Sequence, residues 1–232
     1  VAGRNDYHAI GMQLVRSQFD VFAGGIIENS DGDTNVYEYA RKNGYRLISN
    51  RTDFNTLKSL DSKIIIGSKE LNGNENIANA IDRKPGGISL KDYLNKTIEL
   101  LQSDKTGFFI MCEGGKIDWA CHANDIGYMV GEMLDFDNAI QSALDFYGKH
   151  PDETLVIVTA DHETGGLAMG NTFMEYEVNP LAIDNQKCSN EYFAGLMNEL
   201  KKQNSISMEQ NALDSVKKYY GLGKNVNLTA YD

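Results

Sequence analysis

Lys63-Ile64-Ile65-Ile66-Gly67 sets three isoleucines in a row between a lysine and a glycine. Apolar residues at successive positions, not alternate ones, mark a strand buried on both faces, and such strands belong mainly to parallel sheets. Upstream, Arg46-Leu47-Ile48-Ser49 and Asp20 to Ala23 read as two further short strands, the latter ending at Gly24-Gly25. Between them the period lengthens to that of a helix. Asp6 to Ser17 carries Ile10, Leu14 and Val15 on one face. Asn35 to Lys42 follows the turn Asp31-Gly32-Asp33, with Asp33 or Thr34 as its cap and Gly44 as its stop. Asp53 to Leu60 reads as a third, short helix. The order is α-β-α-β-α-β with strands about 20 residues apart, which predicts a mainly parallel central sheet covered by helices on both faces.

Downstream, Ser68 to Gly87 is rich in Asn and Gly and reads as a loop. Ser89-Leu90-Lys91-Asp92 has the form of a capping box opening a helix to about Gln102. Gly107 to Glu113 and Thr154 to Ala160 read as strands, the second wholly apolar in character. A long helix is expected from Asp125 to Tyr147, with Ile126, Val130, Met133, Leu134, Ile140, Leu144 and Tyr147 near the helical period. Leu167 to Ser189 shows no period, and Glu191 to Lys202 and Met208 to Tyr220 read as surface helices. An α/β core over residues 1–166 is therefore expected, with an irregular, partly helical insertion or interface region over 167–232.

The 232 residues are 41% hydrophobic and 24% charged, the composition of an ordinary globular chain. Acids exceed bases by 33 − 22 = 11. That balance argues against nucleic acid as a partner, because neutralising phosphates needs clustered Lys and Arg. No segment approaches the roughly 18 apolar residues of a membrane span. Cys112, Cys121 and Cys188 form no CxxC zinc pattern and read as small buried residues.

Two places concentrate ligand-type side chains. Glu113-Gly-Gly-Lys-Ile-Asp118-Trp119-Ala-Cys-His122 leaves one predicted strand, and Asp161-His162-Glu163-Thr-Gly-Gly leaves another. Sites in parallel α/β sheets form beyond the carboxyl ends of strands. Three carboxylates converging without a cation would repel one another. Two imidazoles added to them make the mixed N/O set that zinc accepts, while an all-oxygen ligand such as Glu113 suits magnesium. Paired metals can hold the attacking and leaving oxygens of a phosphoryl transfer. His8 and His150 read as ordinary surface residues.

At these residues the chain resembles the alkaline phosphatase family. Glu113-Gly-Gly-Lys-Ile-Asp118-Trp-Ala-Cys-His122-Ala-Asn-Asp is similar to the family's E-G-G-x-I-D-x-x-x-H-x-N-D block. Asp135-Phe136-Asp137 with Ala139 is similar to its L-D-F-D-x-A helix, and Thr159 to Gly166 to its T-A-D-H-E-T-G-G block. The strong similarity spans about Gly107 to Gly166. A weaker one covers Gly3-Arg4 and the Asp20 to Gly25 segment. The resemblance implies hydrolysis of phosphate monoesters through a phosphoserine intermediate, with two zinc ions and one magnesium. Asp118 and His122 would bind the first zinc, Asp161 and His162 the second, and Glu113 the magnesium. Arg4 would clamp the phosphate, and Trp119 would line its pocket. The resemblance also implies a periplasmic or extracellular location, with a homodimer as the common assembly.

The chain departs from the family pattern in three ways. It has no D-S-A/S nucleophile motif, no Thr ahead of Arg4, and no histidine after His162. The expectation is a middle fragment, inactive alone and weak in metal affinity. Two rival readings remain. One is another member of the metallo-phosphoesterase and sulfatase superfamily. The other is a degenerate domain that binds metal or phosphate without turnover.

Overall fold

The computed structural model describes residues 3–28, 30–72, 76–164, 166, 180–203 and 208–224. The chain divides into two compact units. One comprises residues 1–78 and 85–112, the other 79–84 and 113–232.

In the first unit, β1 (Val21–Ala23), β2 (Tyr45–Ile48) and β3 (Lys63–Ile66) form a parallel sheet in the order β1-β3-β2. The isoleucine run is its centre. Ile64 pairs with Val21 on one side and Arg46 on the other, and Ile66 with Ala23 and Ile48. Because side chains alternate along a strand, β3 feeds two cores. Ile64 and Ile66 pack with Ile48, Phe54, Leu57, Leu71, Ile88, Tyr93 and Leu100. Ile65 packs on the opposite face with Val15, Val36, Ala40 and Tyr45. Each isoleucine removed from water on this scale contributes roughly 1.5–3 kcal/mol.

The helices covering the sheet begin where polar side chains can accept their free backbone N–H groups. Asp6 caps α1 (Tyr7–Ser17), and Asn35, not Asp33 or Thr34, caps α2 (Val36–Lys42) through Tyr37 and Glu38. Asn50 caps α3 (Arg51–Thr56), which therefore starts and ends earlier than the periodicity predicts. Ser68 Oγ accepts from Leu71 N at α4 (Lys69–Asn72). Ser89 and Asp92 form the predicted capping box of α5 (Leu90–Leu101). On α1 the buried positions are Gly11 and Val15, and Ile10 is exposed. Gly11 gives close packing there: a Cβ would stand 2.7 Å from Ile27 Cγ2, so the Ile27 side chain would have to shift.

The second unit contributes the helices α6 (Gly115–His122), α7 (Ile126–Tyr147), α8 (Asn190–Gln203) and α9 (Met208–Tyr220). Phe193 packs edge-on against Tyr219 and Tyr220, tying α8 to α9. Most of the Leu167 to Ser189 stretch lies outside the described residues, which resume with the 3-10 turn Pro180–Asn185.

Two expectations are corrected. Among the described residues, neither 107–113 nor 154–160 joins a ladder. Exposure alternates over 109–112 and 154–157. Phe109 and Met111 are 78% and 73% exposed, Leu155 and Ile157 82% and 76%, while Ile110, Cys112 and Val156 are half-buried. The residues carry strand preference, but a strand exists only where a second strand takes its N–H and C=O groups. The parallel sheet with helices on both faces is thus present, but narrower than the sequence suggests.

Candidate metal centre

The first ligand-type cluster sits on α6, which the sequence reading did not resolve as a helix. Its N-cap, Gly114, makes no side-chain cap and packs tightly. A Cβ there would lie 2.9 Å from Ile117 Cδ1 and 3.1 Å from the Phe136 ring. Glycine therefore lets the chain turn from the 107–113 segment into the helix against α7. Helical spacing then puts Asp118 and His122, four residues apart, on one face. Asn124 in the left-handed conformation (φ 50°) ends the helix. Asp125 then caps α7, accepting from Tyr128 N, Gln186 Nε2 and Asn190 N.

The second cluster follows the extended 154–160 segment, and the two meet in the same unit. Thr164 Oγ1 donates to Asp118 Oδ1 at 2.9 Å. His122 Nε2 stands 3.5 Å from Asp118 Oδ1, and His162 Nε2 stands 3.5 Å from Asp161 Oδ2. His162 Nδ1 lies 2.6 Å from the Glu163 carbonyl oxygen. A carbonyl only accepts, so Nδ1 carries the proton, and in the neutral ring Nε2 keeps a lone pair beside Asp161. This backbone bond, with Asp161, Asp118 and Glu163 nearby, raises the His162 pKa. Burial and the Asp118 charge raise that of Cys121.

The donors suit zinc in kind and in pairwise spacing. Zinc–nitrogen and zinc–oxygen bonds near 2.0–2.2 Å at a tetrahedral angle put neighbouring donors about 3.3–3.5 Å apart. Each aspartate–histidine pair spans one such edge. Among the described residues no three His, Cys, Asp or Glu side chains converge as a complete ligand set. Glu113 is exposed, its carboxylate lying over Gly115. Trp119 is 47% exposed, with Lys116 Nζ 5.7 Å from its ring centroid. Arg4 is exposed in the turn before α1 and belongs to the other compact unit. His8 is half-buried and its Nε2 bonds the Thr34 carbonyl at 2.9 Å, while the exposed His150 stacks on Phe146.

Behind α6 lies a polar network that no motif or periodicity in the chain announces. Asn79, in the stretch read as loop, is buried. Its Oδ1 accepts from Lys116 Nζ and, at 3.0 Å, from Tyr128 Oη. Its Nδ2 donates to Asp82, Ser189 and Glu191. Glu132 accepts from Ala80 N at 2.6 Å, and Arg83 makes a two-pronged bond to Asp135 with both arms at 2.7 Å. Burial raises the Glu132 pKa and lowers that of Lys116.

The sequence pattern of the alkaline phosphatase family matches residues 7–229. Alkaline phosphatase 3 of Bacillus subtilis is 41% identical over 156 residues, which cover 67% of this chain and 32% of that protein. The repressible alkaline phosphatase of Saccharomyces cerevisiae is 32% identical over 169 residues, covering 68% of this chain and 30% of that protein. A cold-active alkaline phosphatase from Shewanella superposes with a TM-score of 0.76 at 28% identity, over 97% of this chain and 51% of that one. The enzyme from the Antarctic bacterium TAB5 gives 0.58 at 34% identity, over 68% and 45%. The chain thus spans about a third of the length of the curated relatives it matches.

Proposed function

The chain belongs to the alkaline phosphatase family, and from that membership we propose that it carries part of the machinery for metal-assisted hydrolysis of phosphate monoesters. The carrying observation is that Asp118–His122 and Asp161–His162, distant in sequence, lie in one unit and are linked by the Thr164–Asp118 hydrogen bond. Asp118 and His122 would hold one zinc, Asp161 and His162 a second, and Glu113 a magnesium. A variant of the TAB5 enzyme has been seen with magnesium bound. Bound ions supply Lewis-acid stabilisation to the oxygens that carry charge during phosphoryl transfer.

The chain's own residues orient that site. The Glu163 carbonyl fixes the His162 ring so that Nε2 faces Asp161, and the Thr164 hydroxyl holds Asp118 by the same outer-layer logic. The Arg4 guanidinium suits bidentate recognition of phosphate oxygens, and Trp119 would wall the pocket. A phosphoserine pathway also needs a nucleophile. The Asp-Ser pairs Asp61-Ser62 and Asp214-Ser215 are followed by Lys63 and Val216, not by Ala or Ser. The covalent step would use a serine outside these 232 residues, and the chain alone is expected to be inactive. Residues 167–232, with the α8–α9 pair, would form an insertion or interface region of the assembled enzyme, a homodimer. The protein would work in the periplasm or outside the cell. Among the described residues no helix is long and apolar enough to cross a membrane.

The test is hydrolysis of p-nitrophenyl phosphate at alkaline pH, with zinc and magnesium, by protein expressed from its complete reading frame. Metal-dependent turnover abolished by EDTA is expected. Bound zinc with no monoester turnover would overturn the proposal. Turnover of a diester or sulfate ester would then place the protein in the wider superfamily, and none at all would mark a degenerate binding domain.

A further inference from the structure

We infer that Asn79 and Lys116 form a latch that sets the rotation of α6 about its axis, and through it the placement of Asp118 and His122. At about 100° per residue, Lys116 lies about 200° from Asp118 and 240° from His122 around the helix. By the shorter way round, Asp118 and His122 therefore lie about 160° and 120° from Lys116, on the side away from it, so whatever holds Lys116 aims the other two.

What holds it is specific. Asn79 Oδ1 accepts from Lys116 on α6 and from Tyr128 on the first turn of α7, so one buried oxygen pins both helices across the Asn124 turn. The Asn79 amide is itself fixed by bonds to Asp82, Ser189 and Glu191. Asp82 in turn accepts from Ser189 N and Ser189 Oγ, at 2.9 and 2.6 Å. The Lys116 ammonium also supplies positive charge to the Asp82, Glu132 and Glu191 carboxylates around it. Arg83 is the other cation there, and its two terminal nitrogens are committed to Asp135. Without Lys116 the acids would lose a cation and α6 its rear anchor. Asn79 and Lys116 are thus positioning residues. The inference rests on the metal reading above only for what the placement serves.

The chain has four histidines, so ring-nitrogen NMR of a histidine-labelled sample resolves each one, assigned by single His→Ala variants. In Lys116→Met and in Asn79→Ala, the His122 ring signals are expected to shift or broaden, and Lys116→Arg should restore them. His150, stacked on Phe146 at the far end of α7 in the same unit, should stay at its wild-type position and reports that the fold of that unit is kept. Zinc titrated against the same signals should bind about tenfold more weakly at His122 in the two disrupting variants, the loss typical of removing outer-layer support. His122 signals at wild-type positions in both variants would overturn the latch. If both variants lose the dispersed His150 signal, Lys116→Gln, which keeps a donor and drops the charge, decides by the same criterion. If zinc leaves the wild-type His122 and His162 signals unmoved, the metal reading fails by itself, and the metal-free ring signals still decide the latch.

Discussion

At the scale of single residues, the tightest constraint is steric. A Cβ at Gly67 would lie 2.5 Å from both the Gly24 and the Gly25 carbonyl oxygens, where β1 and β3 end side by side. Backbone cannot swing aside as a flexible side chain can, so Gly67→Ala must push the two strand ends apart. A loss of about 2 kcal/mol or more is expected, read as a lower urea midpoint at unchanged slope. An unchanged midpoint would mean that the strand ends part without cost. At Glu132 the constraint is electrostatic. Burial raises its folded pKa above the ordinary 4.5, so its contribution is fully present below that value and lost as pH rises through the folded value. Glu132→Gln keeps an acceptor for Ala80 N and cannot ionise. The variant should gain stability relative to wild type as pH rises above 4.5, and a stability difference that stays constant through that rise would refute the assignment. For the chemistry, His122→Ala in the protein from the complete reading frame should remove most of the metal-dependent turnover. Near-wild-type turnover with zinc bound would exclude His122 as a ligand.

At the scale of elements, caps carry local stability that tertiary packing does not replace. Ser89 Oγ accepts from Asp92 N at 3.1 Å while the Asp92 carboxylate accepts from Ser89 N at 2.8 Å. Ser89→Ala breaks half of this box and should cost about 1 kcal/mol, measured by denaturation. The box was legible in the sequence because its parts are three residues apart. For the same reason α1, α2, α5, α7, α8 and α9 were readable to within a few residues. Local spacing also made the isoleucine run of β3 a buried strand. Other features were not written locally. The Gly114-Gly115 opening of α6 hides a helix whose start depends on contact with Phe136. Asn79 reads as one polar residue in a polar stretch, and only the fold brings Lys116, Tyr128 and Ser189 to it. The segments 107–113 and 154–160 show the limit from the other side. Their composition states a preference for strand, but pairing is a property of two segments, and one segment's sequence cannot announce that its partner is in place.

At the scale of the whole molecule, those two segments decide how the chain behaves in solution. Phe109, Met111, Leu155, Ile157 and Val158 are all exposed, and so are Met133, Leu134, Leu144 and Tyr147 on α7. The run Leu155-Val156-Ile157-Val158-Thr159-Ala160 has high β preference, no charge and no proline, the composition that pairs with other chains when left uncovered. Opposing this is a net charge of −11, which keeps copies apart. The two forces differ in range and in response to salt. Charge repulsion is screened beyond about 10 Å at 0.1 M ionic strength and about 3 Å at 1 M, while apolar burial and strand pairing act at contact and survive salt. Self-association of the chain should therefore rise with both protein concentration and salt, seen as a growing sedimentation coefficient. The double variant Leu155→Lys with Ile157→Lys should suppress it, since charge on an open strand blocks pairing. Because both side chains already face solvent, the melting temperature should stay within about 2 °C of wild type, as expected for surface substitutions. A large fall in melting temperature would show that Leu155 and Ile157 are packed in solution. Association falling as salt rises would make it electrostatic, not apolar, in origin.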